Sequence, residues 1–131
     1  MSEQPKKVTG LGGIFFKSAQ PDTLKAWYAQ HLGLNTNEYG ATFDWRHADN
    51  KELMGQTIWS PFKESSAYFA PSEKPYMINF RVENLVWLLE ELKKEGIEPL
   101  DGMQVYEYGK FAHIVDPEGL KIELWQPNEG E

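Results

Sequence analysis

The chain carries one structural pattern twice, and this repetition limits its fold more than any other feature. Val8 to Lys17 reads as a strand, with Ile14-Phe15-Phe16 at its centre. A helix signal follows, then three short strand-like runs. About 64 residues later the order begins again. Tyr76 to Val82 is the second opening strand, where Ile78 and Phe80 echo Ile14 and Phe16, and Arg81 echoes Lys17. A lone βαβββ unit covers only one face of its sheet. Two units can set curved sheets side by side, cover the outer faces with one helix each and enclose a hollow on the inner side. The expected architecture is therefore α+β: two βαβββ modules, 8–62 and 76–127, joined by a linker at 63–75, in one domain spanning 8–127.

Local chemistry places the elements. Pro21 suits the first turn of a helix and Asp22 favours its N-terminus. Leu24, Trp27, Tyr28 and His31 recur at helical spacing, and Gly33 is the expected stop. Asn35 to Tyr39, Ala41 to His47 and Met54 to Ser60 read as strands. Asp49 to Glu52 is a polar turn, and Pro61 is the expected end of the third strand. Pro71, Ser72 and Pro75 mark Phe62 to Pro75 as a connection. In the second module Asn84 is a candidate N-cap, Leu85, Leu88, Leu89 and Leu92 form one helix face, and Gly96 ends it. Gln104 to Tyr108, Lys110 to Val115 and Lys121 to Gln126 complete the set. The last two flank Asp116-Pro117-Glu118-Gly119, a tight-turn sequence. Gly10, Gly12 and Gly13 inside the first strand signal a bend or a close approach of neighbouring groups.

Composition excludes several functions. With no cysteine the chain has no disulfide, thiolate metal site or cysteine nucleophile. That fits a reducing compartment, so a cytoplasmic location is expected. Thirteen Lys and Arg against twenty Asp and Glu give a net charge of −7, which argues against a nucleic-acid partner. No run approaches the roughly 20 apolar residues of a membrane span, so no membrane partner is expected. Met1 to Lys7 reads as a polar lead and Asn128 to Glu131 as a frayed end. Aromatic residues make up 14% of the chain, a proportion that suits an aromatic-lined cavity as well as a core.

Three segments carry a resemblance. These are a strand and proline-led helix ending in His31-Leu32-Gly33-Leu34, the βαβββ duplication, and Phe111-Ala-His-Ile-Val-Asp-Pro-Glu-Gly-Leu-Lys-Ile-Glu-Leu-Trp125. Together they resemble the vicinal oxygen chelate superfamily, which includes glyoxalase I, bleomycin-resistance proteins and extradiol dioxygenases. The resemblance implies a glyoxalase-like fold with a cup-shaped cleft. It also implies four metal-ligand positions, on the first and last strands of each module. Here they match Gly13, Thr57 or Trp59, Met77 and Glu123. Only Glu123 is a ligand type for a hard cation, so no metal and no other cofactor are expected. His47 and His113 are the side chains that could complete a different metal site.

Strand alternation then furnishes the cleft. Glu123, Lys121 and Trp125 share one face of the last strand; on its neighbour the resemblance implies that His113, three residues before the Asp-Pro, faces the cleft, and Phe111 shares its face. Phe15 and Lys17 lie on one face of the first strand, as do Asn79 and Arg81 on its counterpart. His113 and Glu123 are the candidate proton-transfer pair. Lys17 and Arg81 are candidate anion contacts, with Asn79 beside them and Phe15, Phe111 and Trp125 as walls. Two functions follow. One is a glyoxalase-like lyase or isomerase acting on a small anionic metabolite in a largely metal-free cleft. The other is a non-catalytic small-molecule binder of the bleomycin-resistance type. The expected partners are a small-molecule ligand and a second copy in a homodimer.

Overall fold

The computed structural model describes residues 5–128. Residues 1–4 and 129–131, which hold most of the expected polar lead and frayed end, lie outside the described residues. The first module runs β1 (Val8–Ser18), α1 (Pro21–Leu32), β2 (Thr36–Asn37), β3 (Gly40–His47) and β4 (Asn50–Lys63). The second runs β5 (Tyr76–Val82), α2 (Leu85–Lys94), β6 (Gln104–Tyr106), β7 (Gly109–Val115) and β8 (Lys121–Gln126). The duplication read from sequence is the duplication built.

The expected pair of sheets is one continuous sheet, in the order β2-β3-β4-β1-β5-β8-β7-β6. Each opening strand lies parallel to the closing strand of its own module, and β1 and β5 join antiparallel at the centre. The seam runs through Ile14 opposite Ile78, the two residues that revealed the repeat. On the helix side of the second module, Leu85 and Leu88 of α2 pack on Val82, Ala112 and Leu124. Leucines at helical spacing meeting alternate residues of three strands is the arrangement that buries one face of each.

The end signals act as their chemistry predicts. The Asn84 side chain accepts a hydrogen bond from Trp87 N at 3.0 Å. Gly96 N donates to the Lys93 carbonyl and Ile97 N to the Leu92 carbonyl, closing α2 with the glycine at φ +82. Gly33 closes α1 at φ +73. In the last hairpin Asp116 Oδ1 accepts from the backbone N–H groups of Glu118 and Leu120.

Four local expectations change. The turn before β4 is tighter than Asp49 to Glu52, because His47 already pairs with Asn50. Pro61 does not end β4. β3 pairs with this strand only as far as Trp59, so at Pro61 only β1 lies alongside and a missing N–H is tolerated. β6 stops at Tyr106, leaving Glu107 and Tyr108 as the turn into β7. The buried residue of α1 is Lys25, whose Nζ bonds the carbonyls of Asn37 and Glu38, while Trp27 and His31 face outward. Among the described residues no helix is long and apolar enough to cross a membrane.

Candidate active site

The ladder arranges side chains in rows across the inner face. One row is Arg81, Trp125 and Phe111. The next is Gly13, Asn79, Glu123 and His113. On the far side of that row, Phe15 lies opposite Met77, and Lys121 opposite Val115. Adjacent rows are roughly 7 Å apart, two residues along a strand. Side chains from β4 round to β6 line one cavity of about 870 Å³, so the sheet curls around it. That volume suits a small organic ligand.

The middle row is a hydrogen-bonded chain. His113 Nε2 lies 2.8 Å from Glu123 Oε2, and His113 Nδ1 lies 3.0 Å from Asp101 Oδ2. Asn79 Nδ2 donates to Glu123 Oε1 at 2.6 Å. The His113 and Glu123 side chains are only 4% and 5% exposed, whereas Asp101 reaches solvent at 39%. Burial pushes the Glu123 carboxyl up, but the hydrogen bonds from His113, Tyr68 and Asn79 together outweigh it. The group is held below its ordinary value, as a carboxylate. An imidazole between two carboxylates can pass a proton from one to the other by changing which nitrogen holds it.

Sequence reasoning missed Tyr68. It lies in the 63–75 connection, which the sequence marks only as a proline-rich link. Its hydroxyl donates to Glu123 Oε2 and lies 3.2 Å from His113 Nε2. Burial, then the neighbouring Glu123 charge and hydrogen bond, push this hydroxyl far above the ordinary tyrosine range, so it stays a donor. The next residue, Phe69, is fully buried against Phe15 and Met77 and anchors the segment. Lys121, read as facing the cleft but given no role, donates from Nζ to the Tyr68 carbonyl at 2.6 Å. The sequence shows only two adjacent aromatics between Pro61 and Pro71, which does not place the hydroxyl.

Phe15, Asn79, Phe111, His113, Glu123 and Trp125 all line the cavity. Lys17 and Arg81 do not. The connecting segment covers the end of β1, so the Lys17 ammonium lies over the Phe69 ring, 5.8 Å from its centroid. Arg81 lies between the indoles of Trp45 and Trp125, 5.4 and 5.0 Å from their centroids. It lines a second hollow that also takes in Lys6 and His47. Lys121 is the cation that lines the cavity.

The donor set does not fit the metal site that the resemblance implies. Gly13 has no side chain, and Met77 is buried in the Phe15–Phe69 cluster. The Thr57 hydroxyl is engaged by the Leu11 carbonyl and the Trp45 indole, and Trp59 packs against Phe16 and Tyr28. Glu123 already accepts from three side chains. Among the described residues no group of three or more His, Asp or Glu is placed to hold a metal ion.

Comparison with solved structures extends over nearly the whole chain. Methylmalonyl-CoA epimerase from Mycobacterium tuberculosis superposes with a TM-score of 0.62 at 20% identity, covering 93% of this chain and 90% of its own. A methylmalonyl-CoA epimerase in complex with methylmalonyl-CoA and NH4+ gives 0.69 at 15% identity, covering 95% and 98%. A protein described as NAD-dependent benzaldehyde dehydrogenase from Legionella pneumophila gives 0.52 at 12% identity, covering 88% and 98%. No protein-family profile and no curated protein matches the chain. Likenesses at these identities establish the glyoxalase-like fold, and a fold hosts many activities.

Proposed function

We propose that this chain is a glyoxalase-like protein of the vicinal oxygen chelate superfamily, working in the cytoplasm as an isomerase. Its substrate is a small organic anion with an acidic C–H beside a carbonyl. The observation that carries the reading is the buried His113–Glu123 pair, with Asp101 beyond it at the solvent side and the Tyr68 hydroxyl at its cavity end. Structural likeness to epimerases of a carboxylated thioester supports the same class.

The step balances without a cofactor. Glu123, held as a carboxylate, takes the proton; the C–H pair moves into the carbonyl and an enolate forms. Protonation neutralises the carboxylate and weakens its hold on the Tyr68 hydroxyl. The tyrosine O–H then turns to the enolate oxygen and stabilises its charge. His113 Nε2–H keeps its bond to the neutral acid. Return of the proton from Glu123 to the opposite face of the enolate, once the enolate has turned in the cavity, gives the isomer.

The test is proton exchange. Methylmalonyl-CoA and a panel of 2-oxo acids are incubated with the protein in D2O and followed by mass spectrometry. Deuterium enters the acidic C–H position of a substrate, and Glu123→Gln slows entry at least about 100-fold. If nothing in the panel exchanges while one compound still raises the melting temperature, the binder reading replaces this one. The aromatic wall is what favours that alternative.

We also retain the homodimer as part of this proposal. Leu11 and Ile14 lie in line with Phe80 and Ile78 on the helix side of the central seam, yet remain 36% and 40% exposed. Covering them with a second copy would remove apolar surface from water. Sedimentation at micromolar concentration should return twice the chain mass, and a monomer there would remove the proposal.

A further inference from the structure

The row of Arg81, Trp125 and Phe111 continues beyond Phe111. Arg81, Trp125, Phe111, Tyr108 and Tyr106 follow one another face to face or edge to face, each centre 5.0 to 5.8 Å from the next. Arg81 and Trp125 are buried and Phe111 is half-buried. The outer two, Tyr106 and Tyr108, stack nearly parallel at an interplanar angle of 10° and remain 50% and 59% exposed while lining the cavity. A stacked pair half open to a cavity presents ring surface that a further planar group would extend.

The opposite end of the cavity is different. Lys121 is buried, with a relative exposure of 8%, and spends one of its three N–H donors on the Tyr68 carbonyl. Among the described cavity-lining residues it is the only Lys or Arg. On β8 the cavity-facing order is Lys121, Glu123, Trp125. The cation and the aromatic row are four residues apart, about 13 Å along the strand, with the proton-transfer group between them.

We propose that the cavity takes an elongated organic acid ending in a planar aromatic ring. The ring stacks on Tyr106 and Tyr108, the carboxylate pairs with Lys121, and the stretch between them passes Tyr68 and Glu123. This names the substrate class of the reading above and rests on that reading for its chemistry alone; binding is a separate matter.

Three probes of matched length separate the contributions: phenylhexanoate, cyclohexylhexanoate and the uncharged phenylhexanol, each titrated by calorimetry. Phenylhexanoate should bind about two- to tenfold tighter than its saturated counterpart, and about tenfold tighter than the alcohol. In the Tyr106→Leu/Tyr108→Leu variant the ring preference should vanish while the charge preference stays. Both positions are half exposed, so its melting temperature should match that of the parent. Lys121→Met should do the reverse, and the alcohol tests the charge without altering the protein. Equal binding of the two acids, a ring preference that survives loss of both tyrosines, an alcohol bound as tightly as the acid, or no binding of any probe would overturn the proposal. The proton-exchange assay can succeed where these titrations fail, and the reverse, so the two readings fall separately.

Discussion

Three donors reach the Glu123 carboxylate from three parts of the chain: Asn79 on β5, His113 on β7 and Tyr68 in the connection. Their number decides its charge, because burial alone would raise the carboxyl and the donors reverse the sign. A carboxyl whose folded value lies below its unfolded value stabilises the fold above that unfolded value. The contribution is lost as pH falls through the folded one. Tyr68→Phe removes one donor and leaves the ring, so the folded value rises toward the ordinary range. The variant should then be less stable than the parent near neutral pH and lose less of that stability as pH falls, as thermal melts from pH 6 down to about pH 3 would read. An unchanged limb would mean that the tyrosine bond contributes nothing to the carboxylate. Asn79→Asp tests the neighbouring contact with the opposite sign. It sets a second carboxyl beside Glu123 in a place only 2% exposed. Two carboxylates that close cannot both ionise, so the variant should lose roughly 3–5 kcal/mol near neutral pH and recover part of it in acid. Urea unfolding at two pH values gives both numbers.

Glycine is what lets β1 serve as the floor of a site. The strand bulges between Leu11 and Gly13, and a Cβ at Gly12 would overlap the Asn79 amide oxygen. Gly12→Ala must therefore displace Asn79 from Glu123 or shift the strand. The cost should be about 1–3 kcal/mol with weakened ligand binding, whereas Asn84→Ala should cost about 0.5–2 kcal/mol by uncapping α2 and leave binding alone. Running both variants through the same urea and ligand titrations separates a site defect from a general one. Much of this level was legible in advance. The glycine cluster, the caps, the Asp116 turn and the alternation along β7 and β8 are local signals that depend on a few neighbouring residues. Alternation on β8, with the family pattern on β7, set His113 and Glu123 on one face, and they lie side by side there. Alternation misled at Lys17 and Arg81, because a strand face says which side a residue takes but not what lies over it. Phe69 covers the first and two indoles enclose the second. Tyr68 was illegible for the same reason. It belongs to no periodic element, and only the tertiary packing of Phe69 brings it to the cavity.

The halves meet at one seam, and the chain that connects them returns across the inner face instead of running clear of it. Lys17 N donates to the Pro75 carbonyl, Glu64 N to the Ser18 carbonyl, and Lys121 to the Tyr68 carbonyl, so the segment is tied to both modules. Phe69 is its anchor, in contact with Phe62 at 5.2 Å and buried with Phe15 of the first module and Met77 of the second. Duplication supplies the curled sheet. The non-repeated connection supplies the Tyr68 hydroxyl that reaches Glu123. Phe69→Ala should therefore act in two places at once. Deleting a fully buried ring costs roughly 3–5 kcal/mol in the melt, and releasing the segment should take Tyr68 away from Glu123. The discriminating comparison is with Tyr68→Phe. If the connection is part of the site, Phe69→Ala should shrink the acid limb as Tyr68→Phe does, on top of its larger loss of stability, and Phe69→Leu should restore the limb with most of the stability. A Phe69→Ala protein that is merely less stable, with an acid limb as large as the parent's, would show the connection to be a passive strap and leave the site to the two modules alone.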